Sequence, residues 1–264
     1  MATIGVFSAR ADGATTIAVG MAAVLSARAR TLLIDLNLDS PEIAPLLDLD
    51  ASRNVFHLAY NAQLAPVGGD ELEEHVSWRD GLAVLPGLLK PDQAERISDH
   101  FLTGLMQAAG HRFQHVVIDL GRVRSGFPAP VTAGDLCWVV TPSPLGMDAL
   151  ERHFGRLDEA GYDWLKRTRI VLNRVHDGSL AGADRYADGE YGLATAASIP
   201  DTPDYWRRVE LQHSPRALSI PEPEHPRYKK VHGDQALVAR RAIEALTASI
   251  VPDAEPASEP ALRS

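Results

Sequence analysis

A chain of 264 residues, 45% hydrophobic and with a formal charge of −9, has enough apolar side chain for one large α/β core. Its acidity argues against sequence-independent nucleic-acid binding, which draws most of its affinity from clustered Lys and Arg. The single Cys137 excludes an intrachain disulfide, and the ten histidines lie apart without metal-ligand spacing, so no zinc is expected.

In chain order, Thr3–Ser8 reads as an apolar strand. The run from Ile4 to Thr16 has the layout of a phosphate-binding loop between that strand and a helix. Such a loop presents backbone N–H groups at a helix N-terminus, while a lysine reaches the β- and γ-phosphates and a hydroxyl binds Mg²⁺. Gly13 and the pair Thr15-Thr16 are present, but Ala14 stands where the lysine belongs. Ala14 to Arg28 then reads as an Ala-rich buried helix. Its apolar stretch is too short to span a bilayer and follows Asp12 rather than a basic segment, so the chain is expected to be cytoplasmic.

Thr31–Leu36 is a buried strand running into the acidic turn Asp35 to Pro41. Further strands are expected at Leu82–Leu85, Val116–Leu120, Cys137–Thr141, Arg169–Leu172 and Thr195–Ile199, with a helix from Leu145 to Ala160. This alternation predicts an α/β fold, a single doubly wound and mainly parallel sheet with helices on both faces and ligands at the carboxyl ends of its strands. Asp35, Asp119 and Asn173 all fall at such ends. Taken singly, each reads as a capping or turn residue.

Toward the C-terminus, residues 207–241 form the densest basic segment, interleaved with Glu210, Glu222 and Glu224. It reads as a solvated face, with a contact to an anionic partner as the alternative. Asp234 to Val251 places Leu237, Ile243, Leu246 and Ile250 on one helical face, suited to docking on the sheet. The acidic stretch after it would be repelled by anionic lipid, which disfavours direct membrane attachment. No linker interrupts residues 3–250, so residues 1–251 are expected to form one domain, and the Pro- and acid-rich 252–264 a disordered tail.

The loop, the strand ending Asp35-Leu36-Asn37, the strand ending Asp119-Leu120-Gly121, the strand ending Asn173-Arg174 and the turn Ile199-Pro200-Asp201 resemble, in order, the elements of the MinD/ParA family of deviant-Walker ATPases. On that pattern the signature lysine falls on Ala9, its two following glycines on Arg10 and Ala11, and the phosphate lysine on Ala14. Asn37 takes the place of the water-positioning aspartate. Gly81 to Gly87, followed by Pro91-Asp92-Gln93-Ala94-Glu95, is similar to the corresponding segment of CpaE/TadZ-type members, which help place Flp/Tad pili.

The resemblance implies a P-loop fold in which Gly13, Thr15, Thr16, Asn173, Pro200 and Asp201 would meet a nucleotide, and Thr15, Asp35 and Asp119 its Mg²⁺. It also implies weak ATP and Mg²⁺ binding, because each lost charge-assisted contact is worth about 1.5–3 kcal/mol. No catalytic residue is assigned. Iron–sulfur members of the superfamily need paired cysteines, so the lone Cys137 excludes that cofactor. The implied role is a degenerate ATPase retained as a positioning or recruitment scaffold for pilus, secretion, division or other envelope machinery. Such a scaffold would be a homodimer, brought to the pole or membrane by protein partners. An active ATP-dependent dimerising switch and a DNA-partitioning ParA are the alternatives.

Overall fold

The computed structural model describes residues 2–64, 66–123, 126–202, 213 and 226–252, of which 226–237 are described as helical backbone only. The basic segment lies largely outside the described residues, as does all of 252–264 after Pro252; Arg240, within it, pairs with Glu244 one helical turn on.

Eight strands form one sheet in the order β3-β4-β2-β5-β1-β6-β7-β8. They are β1 (Ala2–Ser8), β2 (Thr31–Asp35), β3 (Ser77–Arg79), β4 (Leu82–Leu85), β5 (His115–Arg122), β6 (Asp135–Val140), β7 (Thr168–Val175) and β8 (Thr195–Pro200). All seven strands expected from the sequence are present, and all pair in parallel. The unexpected strand is β3, which pairs antiparallel with β4. Asp80 and Gly81, both at positive φ, join the two, the geometry that an Asp-Gly hairpin turn favours.

The inner strands are buried on both sides, which explains why they read as continuous Val, Ile and Leu runs. On one face α1 (Ala14–Ser26), the short α2 (Ile43–Leu46) and α8 (Pro226–Ile250) enclose a core around Ile4, Val6, Leu33, Val117 and Val139. In α8 the buried side chains Ala239, Ile243, Leu246 and Ile250 face α1 and β8, and Ile243 seats against Gly20. The helix therefore docks as its apolar face predicts.

On the other face lie α3 (Val55–Asn61), α4 (Gly69–His75), α5 (Asp99–Arg112), α6 (Pro144–Glu159) and α7 (Ala183–Tyr191). Their core includes an aromatic group in which Phe7 meets Phe127, Trp138 and Trp164 at centroid distances of 5.3, 5.1 and 5.6 Å. No described helix is long and apolar enough to cross a membrane.

Candidate functional site

The loop after β1 turns into α1 at Gly13, whose φ of 94° is left-handed and unfavourable for any residue with a Cβ. A left-handed residue followed by helical ones turns consecutive N–H groups inward, the arrangement that cradles anions. Ala14 opens the helix and is only 4% exposed. A lysine here would project from the first turn; the methyl group leaves the cradle without a cation. Arg10 is exposed at the start of the loop, where its carbonyl accepts a bond from the Ser8 hydroxyl. Ala9 packs against the aromatic face of the core.

Asn173, at the end of β7, is 2% exposed and turned onto this loop. Its Nδ2 donates to the Asp12 carbonyl at 2.7 Å and would lie 2.6 Å from a Cβ placed on Gly13. Its Oδ1 is buried without a hydrogen-bond partner. Pro200 and Asp201 close β8 nearby in the fold, with Asp201 N bonded to Val175 O at 2.9 Å.

The second group of residues sits one and two strands away. Asp35 and Asp119 are directly paired in the β2–β5 ladder, and both are completely buried. Beyond Asp119, β5 bulges against β1, because Val6 faces Asp119 while Phe7 faces Gly121; bulges commonly re-aim side chains beside sites. Asp35 spends both oxygens on backbone, accepting from Asn37 N and Ile43 N, each at 3.1 Å. Asp119 Oδ1 accepts from Gly121 N at 3.0 Å, while Oδ2 has no hydrogen bond of ordinary geometry. Thr15, on the first turn of α1, is the side chain that interacts with Asp119.

Burial raises the Asp35 pKa well above the carboxylate range, and the neighbouring Asp119 charge raises it further. Burial likewise pushes Asp119 up to about 6, against the opposing effects of Thr15 and the Gly121 amide. Asp12, 5% exposed in the loop itself, adds a third buried carboxyl group. Among the described residues none of the three forms an ion pair. The site therefore gathers carboxyl groups, two of them held toward the protonated form by burial, around a frame that elsewhere binds anions.

Asn37 is held in its own turn. Its Nδ2 donates to Ser40 O at 2.5 Å, its Oδ1 accepts from Ser40 N at 3.3 Å, and it lies so close over Gly121 that a Cβ there would collide with it. An amide so engaged orients a loop and carries no charge with which to activate water.

The donors fit Mg²⁺ in part. The free Asp119 Oδ2 and the Thr15 hydroxyl suit an ion whose remaining ligands are water and phosphate oxygens, whereas Asp35 is already satisfied. No group of three or more His, Cys, Asp or Glu among the described residues could hold a metal by itself.

The structure thus places Asn173 on the loop at Gly13, and separately pairs Asp35 with Asp119, which Thr15 approaches from the first turn of α1. The buried position of Asp12 and the engagement of Asp35 by Ile43 N are not evident in the sequence.

The arrangement is the MinD/ParA form of the P-loop NTPase fold. No protein-family model matches the chain, and no curated protein matches it in sequence. Solved structures do match over nearly their whole length. A ParA family ATPase from Chlorobium tepidum TLS superposes with a TM-score of 0.71 at 21% identity, covering 89% of this chain and 98% of that one. The septum site-determining protein MinD from Pyrococcus horikoshii OT3, complexed with Mg-ADP, gives 0.66 at 17%, covering 92% and 95%. MinD of the MinC:MinD cell division complex of Aquifex aeolicus gives 0.66 at 15%, covering 98% and 99%. At these identities the likeness is one of fold.

Proposed function

We propose that this chain is a MinD/ParA-like protein whose nucleotide site has degenerated and whose fold serves as a positioning or recruitment scaffold. The observation that carries the reading is the loop itself. Ala14 occupies the helix start behind Gly13, and Asp12, Asp35 and Asp119 are buried around it without a compensating cation among the described residues. Phosphoryl transfer depends on stabilising charge on the transferred group and orienting the nucleophile. Ala9 and Ala14 supply no charge, and Asn37 is committed to Ser40.

What remains for nucleotide is the backbone cradle, Thr15, Thr16 and Asp119, with Asn173, Pro200 and Asp201 on the base side. This supports weak Mg-ATP binding with little or no hydrolysis. Of the solved relatives, one is a MinD bound to MinC, and a protein partner of division, pilus or secretion machinery suits the same fold here. The likeness of residues 81–95 to CpaE/TadZ-type proteins favours the pilus-placing branch, and partner contacts would bring a cytoplasmic homodimer to its site.

Calorimetry with Mg-ATP on the wild type and on Ala14→Lys tests the site chemistry. Binding at micromolar strength or weaker, improved roughly ten- to a hundredfold by the lysine, is expected. Nanomolar binding by the wild type would mean that another cation completes the site.

A further inference from the structure

Strand β3 ends the strand order on one side of the sheet, and among the described residues no backbone group pairs with its outer edge. The turn at Asp80 and Gly81 sets which groups that edge presents. A two-residue hairpin turn makes its flanking residues, here Arg79 and Leu82, a hydrogen-bonded pair, so the next pair, Trp78 and Ala83, is not bonded across the hairpin. The N–H and C=O of Trp78 therefore both point away from the sheet, a donor and an acceptor on one residue.

The side chain at the same position is ordered and uncovered. Trp78 is 50% exposed. Its ring lies near Phe113, with centroids 6.5 Å apart, and the Arg30 guanidinium, 5.5 Å from the Trp78 centroid, is held in turn by Glu73 at 2.6 Å. The two neighbours on the strand face the other way. Arg79 reaches back to Asp48 and the His213 carbonyl, and the Ser77 hydroxyl donates to the Asp50 carbonyl at 3.2 Å. Edge strands are commonly protected by an outward charge, a proline or a covering segment; β3 presents a tryptophan.

We propose that β3 pairs antiparallel with β3 of a second copy of this chain, about a two-fold axis at Trp78, so that the sheet continues through the dimer. A free N–H and a free C=O on one residue are what such an axis requires, because each copy then donates to and accepts from the other. The same axis sets the two Trp78 rings side by side on one face, a cross-strand aromatic pair. On the opposite face it places Ser77 across from the partner's Arg79. The strand's one cation thus arrives beside Asp50, an exposed acid that Ser77 already touches through its carbonyl, and no like charges face each other across the axis.

This names the surface of the homodimer proposed above and rests on that reading. It lies four strands from β1 and its loop, so nucleotide has no part in it. The two readings fail separately. ATP turnover would sink the degenerate site and leave the β3 contact standing, whereas a chain that stays monomeric would sink the dimer and leave the chemistry of the loop as it is.

Light scattering over a concentration series, on the full chain and on Trp78→Glu and Trp78→Lys, tests the contact. Each variant alone sets two like charges opposite each other at the axis and should weaken the dimer about tenfold or more, whereas an equimolar mixture of the two should recover it. Hydrogen exchange in the wild type supplies a second readout that needs no variant and decides if either variant folds poorly: peptides spanning residues 76–82 should exchange more slowly as protein concentration rises. A monomeric wild type, folded variants that each dimerise as the wild type does, a folded mixture that stays monomeric, or exchange at 76–82 that is indifferent to concentration would overturn the proposal.

Discussion

Replacing Asp119 by Asn should stabilise the protein at neutral and alkaline pH. Asp119 and Asp35 are neighbours in the β2–β5 ladder and wholly buried, so ionising both places two like charges side by side away from water. The Asp119 pKa is pushed from 3.8 up to about 6, and a shift of that size corresponds to about 3 kcal/mol. The folded state holds this proton more tightly than the unfolded chain does. The contribution to stability is therefore fully present below the unfolded pKa and is lost as pH rises through about 6.

Asparagine keeps an acceptor for Gly121 N and removes the charge that is the second cause of the raised Asp35 pKa. Urea denaturation followed by tryptophan fluorescence, from about pH 4 to about pH 8, measures the difference between wild type and variant. The two should be nearly equal at the acid end, with the variant gaining up to about 3 kcal/mol at the alkaline end. A variant less stable than wild type at about pH 8, or a difference that does not change with pH, would refute the reasoning.

Two further outcomes follow from the same structure. The proposed homodimer should persist without nucleotide, because Ala9 cannot reach across to a partner's phosphates; light scattering should give one dimer mass with and without Mg-ATP, and a monomer that dimerises only on adding ATP would restore the active-switch reading. Ile243→Ala should cost about 2–5 kcal/mol in denaturant unfolding, since Ile243 is 1% exposed between α8 and α1; a loss below about 1 kcal/mol would mean that α8 is not part of the cooperative core.

Much of the fold was legible because parallel strands covered on both faces must be apolar throughout. Runs such as Leu32-Leu33-Ile34 and Val116-Val117-Ile118 therefore announce themselves without periodicity. The three-residue β3 gave no such run, and Trp78, half exposed at the sheet edge, carries no burial signal; the Asp80-Gly81 turn was the available cue. Helix α8 begins at Pro226, earlier than the apolar face starting at Asp234 suggested.

At the site, Asp35 and Asp119 are paired neighbours in the β2–β5 ladder, whereas Asn173, on β7 three strands from β5, meets only the loop at Asp12 and Gly13. What each side chain does there depends on contacts far apart in sequence. Asn173 bonds a carbonyl 161 residues away, and Asp35 is engaged by the amide of Ile43 across an intervening turn. Residue type records that such a group can accept or donate, whereas the packed loop decides to what.

The most direct test of the central claim is steady-state phosphate release at saturating Mg-ATP. With Ala9, Ala14 and Asn37 at the charged positions, release should be indistinguishable from a protein-free blank. It should stay so in Asp119→Ala. Turnover at the rate of ordinary MinD/ParA ATPases, abolished by Asp119→Ala, would contradict the degenerate-site account and show that the frame still performs catalysis.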